Sequence, residues 1–384
     1  MRIGINASFA RKPDTGIGQV TINFLKELAR HKTKHEFIIY LEKDIDFKLP
    51  KNFTKRIFLP LWRRDDLIRK IRWEKSLLPK KAKKDKCDIF LSLYQCPKII
   101  HNVKHIMVVH DIIPKLFPEY LNNARKELYS LLTEKSIIYA DKIISISKRT
   151  EKDLTKHLGV DPAKITVNYP DVDEIFKKKV INNKNQEVLK KYRLSPGYIL
   201  SGGGLEVRKN IESVIRAYKF ILHRNKHGYF LEQMPKLVIW GKLLPQLAPL
   251  VTDVKKLVKE LNLTGWVKIL DFVPQNHLPA LYKNASIFIY PSKYEGFGLP
   301  VLEAMNLGKP VITSKTSSLP EVGADAVLYT DPDSIRDIAM VMKNVLTNEK
   351  LRATLSERAK NRAKIFSWKN FTKKTLNIID ATAK

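Results

Sequence analysis

Apolar runs and amphipathic stretches alternate along this chain from end to end. In the first half the runs are RIGIN (2–6), EFIIYL (36–41), RIFL (56–59), CDIFLS (87–92), HIMVVH (105–110), KIISIS (142–147) and KITVNY (164–169). In the second half they are YILSGG (198–203), KLVIWG (236–241), WVKIL (266–270), SIFIYP (286–291), PVITS (310–314) and AVLY (326–329). Helix-spaced segments lie between most of them, among them 17–30, 122–139, 210–223 and 300–306. Continuous apolar strands separated by helices predict parallel sheets covered on both faces. Two such series predict an α/β chain of two doubly wound domains, which would enclose a cleft if they face each other. The polar, basic stretch 170–197 ends in Pro196-Gly197 and marks the boundary. The expected domains are 1–180 and 181–366, followed by an amphipathic helix over 367–384 with Phe371, Leu376 and Ile379 on its apolar side.

Composition narrows the class. The chain has 384 residues, 44% of them hydrophobic, enough for two cores, and shows no low-complexity tract or fixed-period repeat. Its two cysteines, Cys87 and Cys96, make no disulfide framework and fit a reducing cytoplasm. The N-terminus has no apolar signal-peptide core, and no run reaches the roughly 18 apolar residues of a membrane span. A cytoplasmic protein is the expectation. The net charge of +31 favours polyanions such as nucleic acid, anionic lipid or phosphorylated substrates, and it also fits a lysine-rich proteome. No nucleic-acid-binding motif is present, so nucleic acid is not an expected partner.

Ligands of open α/β sheets bind beyond the carboxyl ends of the strands, so the strand-to-helix turns are where chemistry is expected. Four stand out. Gly16 and Gly18 open a helix in NASFARKPDTGIGQ, where backbone N–H groups can approach a phosphate, although an ordinary loop reads the same way. His110 and Asp111 end the strand in VVHDIIP, as a proton shuttle or as structural groups. Gly202, Gly203 and Gly204 lead into Glu206, Arg208 and Lys209, cations suited to a diphosphate, without the Gly-Lys-Ser/Thr end of a P-loop. In YEGFGLPVLEAM, Glu295 stands on a turn whose Gly296 and Gly298 permit unusual backbone angles. There Pro300 suits the first helical position, and Glu303 is expected in the first helical turn, where an acid also complements the helix dipole.

Glu295 to Glu303, EGFGLPVLE, resembles the E-x7-E signature of retaining glycosyltransferase family 4. TGIGQ, HDIIPKLFPE, SISKRTEKDL, LEVRKNIE, SSLPEV and FSW follow in the family's order, so the resemblance covers nearly the whole chain and is nearest to the mannosyltransferase-like branch. It implies a GT-B fold: two Rossmann-like domains facing a cleft, the first on the acceptor side and the second binding the nucleotide sugar, with the last helix crossing back to the first. By the same resemblance Arg208 and Lys209 hold the diphosphate, Glu303 the ribose and Glu295 the transferred sugar. Backbone groups of Phe297, Gly298 and Leu299 approach the donor, His110 lies near the reacting carbon, and Gly16 and Gly18 line the diphosphate and acceptor side. One departure is Gly203-Gly204, where many members carry Gly-Arg; Arg208 is the cation left to compensate.

Departure of a diphosphate needs fixed cations and N–H donors. Arg208, Lys209 and the helix start at Leu299–Val301 supply these, so neither a metal nor another cofactor is expected. No separate carboxylate suggests itself as a covalent nucleophile; Asp111 is the nearest candidate. The expected reaction moves a hexose, mannose from GDP-mannose first, to a glycan or lipid-linked acceptor of a surface polysaccharide or glycolipid. Transfer from UDP-glucose or a dTDP- or GDP-deoxysugar, and nucleotide-sugar epimerisation, are the alternatives. Over 62–84, Trp62, Leu67, Ile68, Ile71, Trp73, Leu77 and Leu78 interleave with Arg and Lys. That pattern fits a helix lying on an anionic membrane and equally a helix packed on the first domain.

Overall fold

The computed structural model describes residues 1–383, apart from 60–65, 99, 101, 179–181 and 225–233 and the side chains of 182–184 and 224. Every predicted run forms a strand. In chain order they are β1 (Arg2–Asn6), β2 (Glu36–Leu41), β3 (Phe53–Ile57), β4 (Ile89–Ser92), β5 (Lys104–Val109), β6 (Lys142–Ser145) and β7 (Ile165–Val167). The second series is β8 (Tyr198–Gly202), β9 (Leu237–Trp240), β10 (Val267–Leu270), β11 (Ala285–Tyr290), β12 (Val311–Ser314) and β13 (Leu328–Thr330). They build two all-parallel sheets, ordered β3-β2-β1-β4-β5-β6-β7 and β10-β9-β8-β11-β12-β13.

The largest shift from expectation is at β3, which starts at Phe53 rather than at Arg56. Phe53 stacks on Phe37 of β2 with ring centroids 4.7 Å apart, whereas Ile57 and Leu59 lie at the exposed sheet edge. Burial of one aromatic pair outweighs the run of apolar residues that follows it.

The chain divides into two units. The first comprises Met1–Asp171 together with Phe366–Lys384, and the second Val172–Ile365. The last helix, Trp368–Ala383, packs on the helix Gly16–Leu28 of the first unit, with Phe371 edge-on to Phe24 at 5.8 Å. Asn168 fixes it further by donating to the Phe371 carbonyl at 2.9 Å and to the Thr375 hydroxyl at 3.2 Å.

The 62–84 segment is described from residue 66 onward. Trp62 lies outside the described residues, and 66–84 runs as a helix with a π-helical turn at Trp73–Leu77 in its middle. Trp73 and Leu78 are buried in the first unit, and Trp73 stacks on Phe58 at 5.3 Å and donates to its carbonyl. Arg69 is buried against Glu42, and Lys70 also points inward. Trp73 and Leu78 therefore belong to the core of the first unit, while Leu67, Ile68, Ile71 and Leu77 are half-buried.

No helix among the described residues is long and apolar enough to cross a membrane.

Candidate active site

In the second sheet the strand order reverses between β8 and β11, the switch point at which α/β sheets bind ligands. The two turns singled out in the sequence leave from the ends of these two strands. After β8, the glycine run leads to a short 3-10 turn, Val207–Lys209, and then to the helix Ile211–Arg224. After β11, residues 291–298 lead to the helix Leu299–Asn306.

Side chains that the sequence reading passed over tie the turns together. Asn210, left-handed at φ 62°, donates to the carbonyls of Pro291 (3.1 Å) and Pro332 (2.7 Å). The Arg208 carbonyl accepts from the Lys293 N–H and the Ser292 hydroxyl. From the loop after β12, the Ser317 and Ser318 hydroxyls both donate to the Glu295 carbonyl, and Ser318 also reaches that of Phe297 at 2.8 Å. These hydroxyls and one amide make the glycine turn a fixed surface, because each carbonyl of its backbone that they hold is satisfied without water.

Glu295 is the hub. Its Oε1 accepts from Tyr290 (2.7 Å), Ser292 (3.0 Å) and Arg208 Nη1 (3.0 Å), and lies 3.4 Å from Lys209 Nζ. Lys209 also donates to the Tyr290 hydroxyl at 2.7 Å, and Arg208 to the Tyr294 carbonyl at 2.8 Å. All four contacts fall on one carboxylate oxygen. Burial by itself would raise this carboxyl, but Lys209, Arg208 and the two hydroxyls overcome it and hold the group at about 2. The site thus stores a buried, ionised carboxylate beside two cations.

Glu303 has the opposite character. It is buried, accepts only the Tyr282 hydroxyl (3.0 Å) among the described hydrogen bonds, and burial pushes it up to about 7 against the pull of Tyr282 and Lys209.

Three details of the expected turn change. The helix begins at Leu299, so Pro300 is its second residue and Glu303 lies in its second turn, beyond the reach of a first-turn dipole effect. The Val301 N–H is spent on the Gly298 carbonyl (3.1 Å) and Pro300 has none, so the helix start offers the N–H of Leu299 rather than a row of donors. Of the two glycines only Gly298 uses a left-handed angle, φ 114°.

In the first unit, His110 follows β5 and is buried, its Nε2 2.9 Å from the Leu93 carbonyl, which requires the proton on Nε2. Burial pushes the imidazole down, so it stands neutral, with Nδ1 as an acceptor. Asp111 Oδ1 accepts from the Ile113 N–H at 3.0 Å and caps its own turn. Gly16 begins the helix, and Gly18 sits where a Cβ would lie 1.9 Å from the Lys12 carbonyl oxygen. The Gly18 N–H goes to the Thr15 cap at 3.2 Å, so close backbone packing accounts for this glycine.

The same unit holds a cluster the sequence did not reveal. Lys70 Nζ lies 4.8, 5.1 and 4.7 Å from the ring centres of Phe9, Tyr94 and Tyr129. Glu74, on the π-helical turn, accepts from Tyr94 (2.5 Å) and Tyr129 (2.9 Å). Lys70, Tyr94 and Tyr129 line a cavity of about 230 Å³ together with Gln95, Asp111, Lys115 and Lys126. Its residues come from five separate stretches, 9–17, 67–70, 94–95, 111–121 and 126–137, which only the fold brings together.

Two parallel Rossmann-like sheets, one carrying a cation-bound carboxylate at its switch point, define a doubly wound α/β protein with a candidate ligand site there. The glycosyl transferases group 1 family matches residues 171–362, and the glycosyltransferase family 4 model matches 15–174. The O-antigen chain mannosyltransferase B of Escherichia coli is 30% identical over 95% of this chain and 96% of its own length. The serotype-specific mannosyltransferase WbdA of E. coli is 31% identical over 70% of this chain, which corresponds to 32% of that longer protein. Among solved structures, WaaG, a glycosyltransferase involved in lipopolysaccharide biosynthesis, superposes with a TM-score of 0.76 at 18% identity, covering 99% of each chain. HepE of Anabaena, solved with UDP and glucose, gives a TM-score of 0.73 at 17% identity and 99% coverage of each. The chain belongs to glycosyltransferase family 4. It is a glycosyltransferase with the GT-B fold.

Proposed function

We propose that this enzyme transfers mannose from GDP-mannose, with retention, to a glycan or lipid-linked acceptor in the synthesis of a surface polysaccharide or glycolipid. The observation that carries the reading is the Glu295 hub: an ionised carboxylate able to bind sugar hydroxyls, flanked by the two cations that a departing diphosphate needs. Similarity to the mannosyltransferase of E. coli over almost the full length supports mannose as the sugar.

In this reading the diphosphate joins Arg208 and Lys209, and Glu303 takes the ribose hydroxyls. Glu295 binds the sugar, and the backbone of Phe297, Gly298 and Leu299 lies against the donor. His110 offers Nδ1 to a hydroxyl near the reacting carbon, and the loop at Gly16 and Gly18 borders the diphosphate. The sugar C1–O bond breaks with its electron pair leaving on the diphosphate. A diphosphate oxygen takes the proton of the acceptor hydroxyl, and the acceptor oxygen bonds to C1 on the same face. No metal takes part at the diphosphate, so EDTA leaves turnover unchanged. The enzyme works in the cytoplasm, at the membrane when its acceptor is lipid-linked.

A panel of GDP-, UDP- and dTDP-sugars tests the reading through slow donor hydrolysis and thermal shift, since a bound donor stabilises the folded state. GDP-mannose is expected to give the largest response. Hydrolysis of UDP-glucose alone overturns the donor assignment, and no response to any nucleotide sugar overturns the site.

A further inference from the structure

Lys70 and Glu74, four residues apart on the 66–84 helix, grip the same three segments of the first unit. The Lys70 ammonium lies against the rings of Phe9, Tyr94 and Tyr129, which stand on the turn after β1, on the loop after β4 and on the helix Ala124–Tyr139. Glu74 accepts the hydroxyls of Tyr94 and Tyr129. The Ser8 hydroxyl lies 2.7 Å from that of Tyr94; since the Tyr94 proton goes to Glu74, Ser8 is the donor, which ties in the turn after β1 a second time. One pair of side chains thus fixes three walls of the 230 Å³ cavity.

The charges of this cavity are matched. Lys70, Lys115 and Lys126 line it with Asp111 and Glu134, and Glu74 beside Lys70 is the third acid. Lys115 pairs with Glu134 at 3.2 Å, and Lys70 with Glu74 at 3.8 Å. The second distance is beyond hydrogen-bond reach, so among the described residues the Lys70 N–H groups meet only rings and the cavity. Asp111 spends Oδ1 on the Ile113 N–H, which leaves Oδ2. A fitting ligand brings oxygen acceptors for Lys70, a hydroxyl proton for Asp111, an apolar face for the rings and no net charge. A sugar ring has all four. The volume lies below the ~300–1,000 Å³ of pockets for drug-sized ligands, which limits the occupant to about one ring. Gln95 joins this wall to His110: its side chain accepts the His110 N–H at 3.3 Å and donates to the Asp111 carbonyl at 3.1 Å.

We infer that Lys70 is a specificity-determining residue of the transfer, reading the hydroxyls of one uncharged sugar at the end of the acceptor, and that Glu74 is its positioning residue. The inference deepens the acceptor part of the proposed function and rests on it. Glu74 acts through Lys70 and the two tyrosines. As a counter-charge it keeps the ammonium from drawing in an acidic sugar, and as a hydrogen-bond acceptor it holds Tyr94 and Tyr129 where they flank the ring. Asp111 and Glu134 add repulsion against a carboxylate or a phosphate.

Saturation-transfer NMR on the full chain, without donor, tests this. The probes are the methyl glycosides of mannose, glucose, galactose, rhamnose and N-acetylglucosamine, with those of mannuronic and glucuronic acid as the acidic comparison. The wild type saturates one of the uncharged glycosides most, and the acidic ones much less. Lys70→Met weakens binding of that glycoside at least about tenfold. Glu74→Gln leaves Lys70 without its counter-charge, so the preference moves toward the acidic glycosides, a change that loss of packing alone does not produce. Tyr129→Leu removes one ring, keeps every charge and weakens all glycosides alike; it serves as the second cavity variant if Lys70→Met melts early. A wild type that binds no uncharged glycoside, or prefers an acidic one, overturns the inference. So do cavity variants that bind like the wild type, and so does an unchanged preference in Glu74→Gln. Donor hydrolysis by the wild type is read separately. A chain that binds a glycoside but cleaves no nucleotide sugar overturns the proposed function and leaves the sugar cavity standing; one that cleaves a donor but binds no glycoside overturns the inference alone.

Discussion

Glu295 and Glu74 are both buried carboxylates that accept tyrosine hydroxyls, and their acidities shift in opposite directions. Glu295 has Arg208 at 3.0 Å and Lys209 at 3.4 Å, and is held at about 2. Glu74 has two tyrosines and a single lysine, Lys70 at 3.8 Å; burial pushes Glu74 up and pushes Lys70 down. Two cations in hydrogen-bond reach keep a buried acid charged, whereas one distant lysine in an aromatic cage does not offset desolvation. Hydroxyl donors are common to both sites, so the cation count makes the difference. The second unit therefore holds a charged site suited to a polyanionic donor. The first holds a cavity walled by aromatic rings together with side chains of both charges.

The comparison is broken most severely by Glu295→Gln or Lys209→Ala. Each should lower donor hydrolysis on the order of a hundredfold or more while the far-UV spectrum stays native. Full activity in both would show that the charged hub is structural only. Tyr290→Phe comes next. It removes the hydroxyl between Lys209 and Glu295, with an expected loss of about 1–3 kcal/mol in denaturant unfolding. Its kcat should fall more than its KM rises, because the variant keeps both charges and loses only their alignment.

Glu303 gives a pH-dependent effect of intermediate size. Its carboxyl is raised from 4.5 to about 7 by burial, so its contribution to stability is fully present below the unfolded value and is lost as pH rises through about 7. The ligand-free wild type should therefore lose melting temperature across that window relative to Glu303→Gln. If the ionised form binds ribose, donor affinity should instead rise across the same window, and the variant should flatten it. Glu295 works in the other direction, its contribution being lost only as pH falls through about 2. The smallest effect is expected for Glu74→Gln, a change of under about 1 kcal/mol in unfolding, because that site already disfavours charge. A loss as large as that from Glu295→Gln would erase the contrast.

Much of the fold was legible because buried parallel strands are written as unbroken apolar runs, and each run found its place in one of two sheets. Strand ends shifted where pairing rather than composition decides them, as at Phe53. The 66–84 segment stayed ambiguous because a helix packed on its own core and a helix packed on lipid share one amphipathic pattern. In the site, Arg208, Lys209, Glu295 and Glu303 announced themselves by charge beside glycines. Tyr290, Ser292, Ser317, Ser318 and Asn210 did not. They act by reaching across from neighbouring loops, and hydroxyls or amides at strand ends are unremarkable until the strand order is known.

The return of Phe366–Lys384 to the first unit has a consequence for how the molecule is made. The second unit is a continuous stretch and can close as soon as its own residues have left the ribosome. The first unit starts earlier and finishes last, since Phe24 and Asn168 must wait for Phe371. A premature stop near residue 366 would thus damage the half of the enzyme encoded at the opposite end of the gene.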